Sequence, residues 1–231
     1  MAIGERSIME TFARKFTGIG ADVYLNQLAA EWRDRRGERN ELWAALRRVV
    51  NRLNRLRTAM VVTAAPVLVY GDLKPEHVVF ERHTVASDRP MFIDPGMSCA
   101  RPTVDSAKLV SRTILLLIGF QSLCAEAIGD GLAAFVDDRT RDLPTGARQE
   151  WLRELLVLWL MDTVNILTTY LSAPRGLPLP RHAEVALSQA RIVSALMEKV
   201  SAELVAGLDP ELVWSIGLAD AVGRARLVTT A

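Results

Sequence analysis

Two carboxylates stand at equivalent places in the chain. Asp72 follows the run Val67-Leu68-Val69-Tyr70-Gly71, and Asp94 follows Met91-Phe92-Ile93, twenty-two residues later. Each comes after a short β-branched or aromatic stretch and opens turn chemistry, GDLKP in one case and DPG in the other. Loops at strand ends are where a rigid scaffold presents side chains to a ligand. If the flanking runs pair as an antiparallel ribbon, both carboxylates lie at one mouth. Two carboxylates there suit a hard divalent cation and a hydroxyl nucleophile, which is what phosphoryl transfer needs. Taken singly, Asp72 reads as a turn residue and Asp94 as a helix cap or Asx-turn.

The elements that must hold these loops are mostly helical, because apolar residues recur at three and four with strong helix formers between them. Residues 21–57 read as two amphipathic helices broken near Gly37, with Leu25, Leu28 and Trp32 on the first and Leu42, Leu46, Val49, Leu53 and Leu56 on the second. The outer face of the second carries Arg47, Arg48, Arg52, Arg55 and Arg57, and such a charge run reads as solvated. Between Pro66 and Ile93 two or three short strands are expected. Helix returns over 104–129 and gives way to a breaker zone, DDRTRDLPTGA. A long helix over about 148–172, rich in Leu and Trp, reads as buried. A loop with Pro174, Gly176, Pro178 and Pro180 separates it from a helix over 182–206 and from a last short one, with Asp209 as N-cap and Pro210 at N1.

Composition narrows the function. The chain has 231 residues with 50% hydrophobic and 24% charged, enough for one sizeable core. Lys+Arg 28 against Asp+Glu 27 gives a charge of +1, so no global field draws nucleic acid or an anionic membrane. Four of those cations are Lys (Lys15, Lys74, Lys108, Lys199) and the rest are Arg, a skew that reads as coding bias. Cys99 and Cys124 cannot build a disulfide framework, and no paired Cys/His spacing suggests zinc, so a reduced, cytoplasmic setting is expected. The first residues lack the apolar run of a signal peptide, and the longest apolar stretch, Ile114 to Phe120, is short of a bilayer span. His83 and His182 sit alone near turns, Cys99 lacks a neighbouring base and reads as packing, and the Trp residues recur on core faces. No nucleophile-elbow, zinc-protease or P-loop motif is present.

Three motifs in order carry a resemblance: Tyr70-Gly71-Asp72-Leu73-Lys74-Pro75-Glu76-His77, then Phe92-Ile93-Asp94-Pro95-Gly96, then Asp105 in RPTVDSAKL. The chain resembles the kinase-like phosphotransferases that include aminoglycoside, choline and homoserine kinases and share the C-terminal lobe of protein kinases. Their catalytic loop reads His-Gly-Asp with an Asn five residues after the Asp, followed by a strand, Ile-Asp-x-Gly and a further Asp. The stretch Asp-Leu-Lys-Pro-Glu is also similar to the protein Ser/Thr kinase loop.

The resemblance implies a mostly α (α+β) fold, a protein-kinase-like C-terminal lobe that is helical with a small β-ribbon carrying the catalytic and metal loops. It implies one domain over 1–231, with a helical lead-in over 1–65, the loops over 66–105 and helices over 106–231. It makes Asp72 the catalytic residue that orients the attacking hydroxyl and accepts its proton, and Lys74 the cation that neutralises the transferring phosphoryl group. Asp94 becomes the magnesium ligand beside ATP, and Asp105 a buttress of the catalytic loop and cap of the helix after it. His77 stands where the family has Asn as second metal ligand, and imidazole is a poorer partner for hard magnesium than an amide oxygen. Tyr70 in place of His is expected to pack, and Pro95 to stiffen the metal loop.

Family members also carry a small β-rich lobe with a Gly-rich loop, a strand Lys and a helix Glu. Here the residues ahead of 66 read as helices, TGIGAD around Gly18 and Gly20 lacks the strand and Lys of a phosphate loop, and Lys15 is equally unsupported. Such a lobe alone exposes the face that its partner lobe covers. A second protein completing or covering the nucleotide cleft is therefore expected, with weak nucleotide binding in its absence. The expected activity is ATP- and magnesium-dependent phosphorylation of a hydroxyl. The acceptor is Ser/Thr of a peptide, as in modified-peptide natural-product pathways, or a small-molecule alcohol. The rival is a catalytically inactive pseudokinase that serves as a binding or scaffold module.

Overall fold

The computed structural model describes residues 8–18, 39–60, 66–80, 89–120, 123–174 and 178–227. Among these, helices run over Ile8–Phe16 (α1), Arg39–Thr58 (α2), Thr103–Phe120 (α3), Ala125–Thr140 (α4), Thr145–Leu171 (α5), Arg181–Ser188 (α6), Ala190–Val205 (α7) and Pro210–Leu227 (α8). Four short strands are interposed: Val67–Val69 (β1), Val78–Val79 (β2), Met91–Phe92 (β3) and Ser98–Ala100 (β4). The mostly helical fold with small β-ribbons is the one expected.

Helix α5 is apolar on nearly every side because it is the centre of the core. Leu155, Leu156, Leu158, Trp159, Leu160 and Met161 are all buried, and α1, α2, α3, α6, α7 and α8 pack around it. Trp159 meets Trp214 of α8 edge to face, centroids 6.2 Å apart. By length and composition α5 passes as a candidate membrane span, but 83% of its apolar window is buried inside the fold, as in the core helix of a globular protein.

Helix α1 docks on this core with Ile8, Phe12 and Phe16, spaced i, i+4, i+8 on one face. Polar clamps finish the seat: Asn165 Nδ2 donates to the Ile8 carbonyl (3.2 Å), Asn54 Nδ2 to the Phe16 carbonyl (2.8 Å), and Lys15 Nζ to the Asn165 carbonyl (3.1 Å) and Thr169 Oγ1 (2.6 Å). Lys15 is thus a structural tether, and burial lowers its pKa.

In α2 the residues Leu42, Leu46, Val49, Leu53 and Leu56 are buried as their spacing requires. The Arg face departs from a purely solvated one. Arg48 pairs with Glu198 of α7, and Arg52 Nη1 donates to the Glu198 carbonyl at 3.1 Å, so part of the run staples two helices together. The helix expected over 21–36, Gly20, Trp32 and His83 lie outside the described residues.

Several boundaries move. The helix expected over 104–129 is two, α3 and α4, and α4 continues through Asp137, Asp138 and Arg139 to Thr140 before the break at Leu143 and Pro144. Val136 and Thr140 are buried, so packing carries the helix through residues that read as a breaker. The helix expected over 182–206 is likewise two, α6 and α7, parted at Gln189. The last helix is longer than expected and is capped as expected, with Asp209 Oδ1 accepting from the Glu211 amide at 2.8 Å. Cys99 is exposed on β4 and not packed. His182 is bonded to the Tyr170 hydroxyl at 3.0 Å.

Candidate active site

The strand runs do not pair with each other as a single ribbon. β1 pairs antiparallel with β4 (Val67 opposite Ala100, Val69 opposite Ser98), and β2 pairs with β3 (Val78 opposite Phe92). The two ribbons still bring the loops together, because the turn after β1 lies against the turn before β4. Gly71 has φ +86, and a Cβ there would stand 2.9 Å from Ser98 Oγ and 3.3 Å from the Gly96 carbonyl carbon. Only glycine fits both that conformation and that approach.

Helix α3 fixes the Asp72 loop from below. Asp105, in its first turn, accepts the amides of Tyr70 and Gly71 through its two carboxylate oxygens, each at 2.8 Å. Two donors that strand pairing leaves free are thereby satisfied by one ionised group. The Tyr70 hydroxyl contacts the Ile93 carbonyl, and its ring leans on His77 and Phe92, so the residue replacing the family's His ties one loop to the other. The 3-10 turn Pro75–His77 follows Lys74, and the His77 carbonyl accepts the Ile93 amide at 3.0 Å.

This framework sets Asp72, Lys74, His77 and Asp94 in one neighbourhood. Asp72 is buried, Lys74 Nζ donates to its Oδ2 at 2.8 Å, and Lys108 Nζ reaches its Oδ1 at 3.2 Å. Burial by itself would raise the Asp72 pKa, but the bond from Lys74 and the charges of Lys108 and Lys74 hold the carboxyl below its ordinary value. His77 is buried between the two carboxylates, with Nδ1 4.0 Å from Asp72 Oδ2 and Nε2 3.7 Å from Asp94 Oδ2. Its Nδ1 has no hydrogen-bond partner. Asp94 has φ +58, a left-handed conformation that Asp tolerates better than most residues, and its side chain is 85% exposed.

Among the described residues no group of three His, Cys, Asp or Glu forms an all-protein metal cage. Magnesium does not require one, since it binds through one or two carboxylates together with substrate phosphates and waters. An exposed Asp94 carboxylate fits that role, and the nitrogen of His77 fits it less well.

Sequence reasoning passed over Lys108. Its signal was available: it stands three residues after Asp105, one helical turn on and on the same face. Asp162 on α5 was also missed. It is buried, Arg112 Nε lies 3.6 Å from its Oδ2, and burial pushes its carboxyl up against the opposing pull of Arg112.

Comparison with known proteins gives one result. No curated protein and no solved structure matches the chain significantly. The model of the phosphotransferase enzyme family (APH) matches residues 11–143, a span that holds both carboxylate loops, Asp105 and Lys108. That match covers more than half of the sequence, and the chain belongs to the phosphotransferase enzyme family, with the kinase-type transfer chemistry which that membership carries.

Proposed function

We propose that this chain transfers a phosphoryl group from ATP, with magnesium, to a hydroxyl on Ser or Thr of a peptide, and that a second protein supports the reaction. The observation that carries the transfer reading is the placement of Asp72 and Asp94 on touching loops, with His77 between them at 4.0 and 3.7 Å. When bound, magnesium and ATP supply the phosphoryl group and neutralise its charge. Asp72, kept ionised by its lysines, orients the acceptor hydroxyl and takes its proton as the hydroxyl oxygen bonds to phosphorus and the bond to the nucleoside diphosphate breaks. Lys74, a compact cation at the mouth, meets the transferring group. Asp94 would hold the metal, with His77 Nε2 3.7 Å from its carboxylate.

The peptide acceptor rests on the likeness of Asp72-Leu73-Lys74-Pro75-Glu76 to the protein-kinase loop. A pathway in which phosphorylated Ser/Thr is then eliminated to a dehydroamino acid suits such an activity. The partner rests on the strand ribbons, where Leu68, Phe80, Met91, Phe92, Ile93 and Met97 are all exposed. So many large apolar side chains on one small region suit a covering polypeptide.

Calorimetric titration with MgATP tests the reading. Binding that disappears in Asp94→Asn and on chelation of magnesium supports it. Product formation from MgATP and a Ser/Thr peptide should vanish in Asp72→Asn while the fold persists. A second reading, a binding module without catalysis, is favoured by the engagement of both Asp72 oxygens by lysines. Unchanged product in Asp72→Asn rejects the enzyme reading.

A further inference from the structure

Asp72 is held from two sides by cations that differ in their surroundings. Lys74 comes from the loop itself, with 28% of its side chain exposed. Lys108 comes from α3 with 9% exposed, and its Nζ donates to the Gly71 carbonyl at 2.6 Å as well as to Asp72 Oδ1 at 3.2 Å. One helix thus grips the turn at four polar atoms. Asp105 takes the amides of Tyr70 and Gly71, and one turn later Lys108 takes the Gly71 carbonyl and the Asp72 carboxylate.

We propose that Lys108 is the positioning residue for Asp72, a role that rests on the phosphotransfer reading above. The Lys108 side chain is 9% exposed, and an ammonium so buried costs free energy unless it is paired. Its bonds to the Gly71 carbonyl and Asp72 Oδ1 join it to the turn that carries the catalytic carboxylate, and its charge also acts on buried Asp162 of α5.

The two lysines divide the work. Lys74, the more exposed of the two cations, sits on Oδ2, so it has to leave Oδ2 for the incoming phosphate before Asp72 can accept a proton there. Lys108 remains on Oδ1 during that exchange. The carboxylate keeps a counter-charge and a fixed plane while its outer oxygen is freed, which is preorganisation of the base.

The test compares Lys108→Met with Lys74→Met and with Val110→Ala, a core truncation on the same helix that controls for lost stability. The first readout needs no activity: crystal structures of the variants, where the Asp72 carboxylate should turn out of its plane in Lys108→Met and keep it in Lys74→Met. The second is MgATP hydrolysis with water as acceptor. Lys108→Met should lower kcat at least about tenfold and leave KM for MgATP within about twofold, whereas Val110→Ala should leave kcat within about twofold. An Asp72 that keeps its plane in Lys108→Met overturns the proposal, as does a kcat loss no larger than that of Val110→Ala. Should the Met variant not fold, Lys108→Gln keeps a donor for the Gly71 carbonyl, removes the charge, and is read by the same outcomes. If the wild-type protein turns over no MgATP with water or with a Ser/Thr peptide, the phosphotransfer reading fails, and the plane of Asp72 still decides whether Lys108 holds it.

Discussion

Gly96 lies directly against Asp72: a side-chain carbon at position 96 would stand 3.4 Å from the Asp72 Cβ and 3.5 Å from its amide nitrogen. The loop that carries Asp94 thus rests its backbone on the loop that carries Asp72. Gly71 makes the reciprocal approach, towards Gly96, Met97 and Ser98. The two loops thus meet backbone to backbone at Gly71 and Gly96.

Gly71→Ala is expected to damage this arrangement, because it combines a positive φ with a Cβ 2.9 Å from Ser98 Oγ and 3.3 Å from backbone. A cost of about 1–3 kcal/mol is expected, together with loss of MgATP-dependent activity. Gly96→Ala meets only ordinary contacts and should cost less than about 1 kcal/mol. Urea unfolding of the two variants checks the contrast, and equal losses contradict it.

Asp105→Ala strips both acceptors from the amides of Tyr70 and Gly71. Two bonds to a charged group are worth about 2–4 kcal/mol together, so the variant should be strongly destabilised. Asp105→Asn keeps one acceptor oxygen and should recover about half of that. Amide hydrogen exchange at residues 70 and 71 reports the loss directly: both amides should exchange faster in the Ala variant, and unchanged rates would contradict the buttress.

Asp162 gives a pH dependence with a definite sign. Its carboxyl is pushed above the ordinary value by burial, against Arg112 and the bond from Ser111, so the folded state binds that proton more tightly than the unfolded chain does. Its contribution to stability is present at acid pH and is lost as pH rises from about 4 through the folded-state value. Asp162→Asn removes this slope. The variant should gain in Tm on the wild type between about pH 4 and neutrality. Thermal melts at the two pH values check it, and a difference that shrinks with rising pH contradicts it.

The exposed strand face should be replaceable without cost to the fold. Leu68 and Phe92 are 66% and 54% exposed, so Leu68→Ser combined with Phe92→Ser is expected to change stability by less than about 1 kcal/mol. The same double variant should bind less of a hydrophobic fluorescent dye. A large fall in Tm would mean that the face supports the fold and would contradict the proposed partner surface.

Much of the molecule was determined locally. The spacing of Leu42, Leu46, Val49, Leu53 and Leu56 fixes which face of α2 is buried, and Asp209 followed by Pro210 fixes where α8 begins, because both depend on residues within a turn or two of each other. The order Gly71-Asp72, Ile93-Asp94, Asp105 is equally local, and it marks the family through side-chain type alone.

What tertiary structure decided are the choices among partners distant in sequence. Three short strands offered the pairing of the Val67–Val69 run with the Met91–Phe92 run, and the fold pairs each with another neighbour, because two- and three-residue strands carry too few side chains to specify register by themselves. Lys108 lies thirty-six residues beyond Asp72, and only packing brings it to the Gly71 carbonyl and the Asp72 carboxylate. Asp162 lies in the apolar helix α5, and only the approach of Arg112 and Ser111 shows what surrounds its carboxyl. Helix faces follow from a fixed period along one chain, whereas the pairing of charges follows from which buried groups would otherwise stand unpaired, and that is settled only when the helices meet.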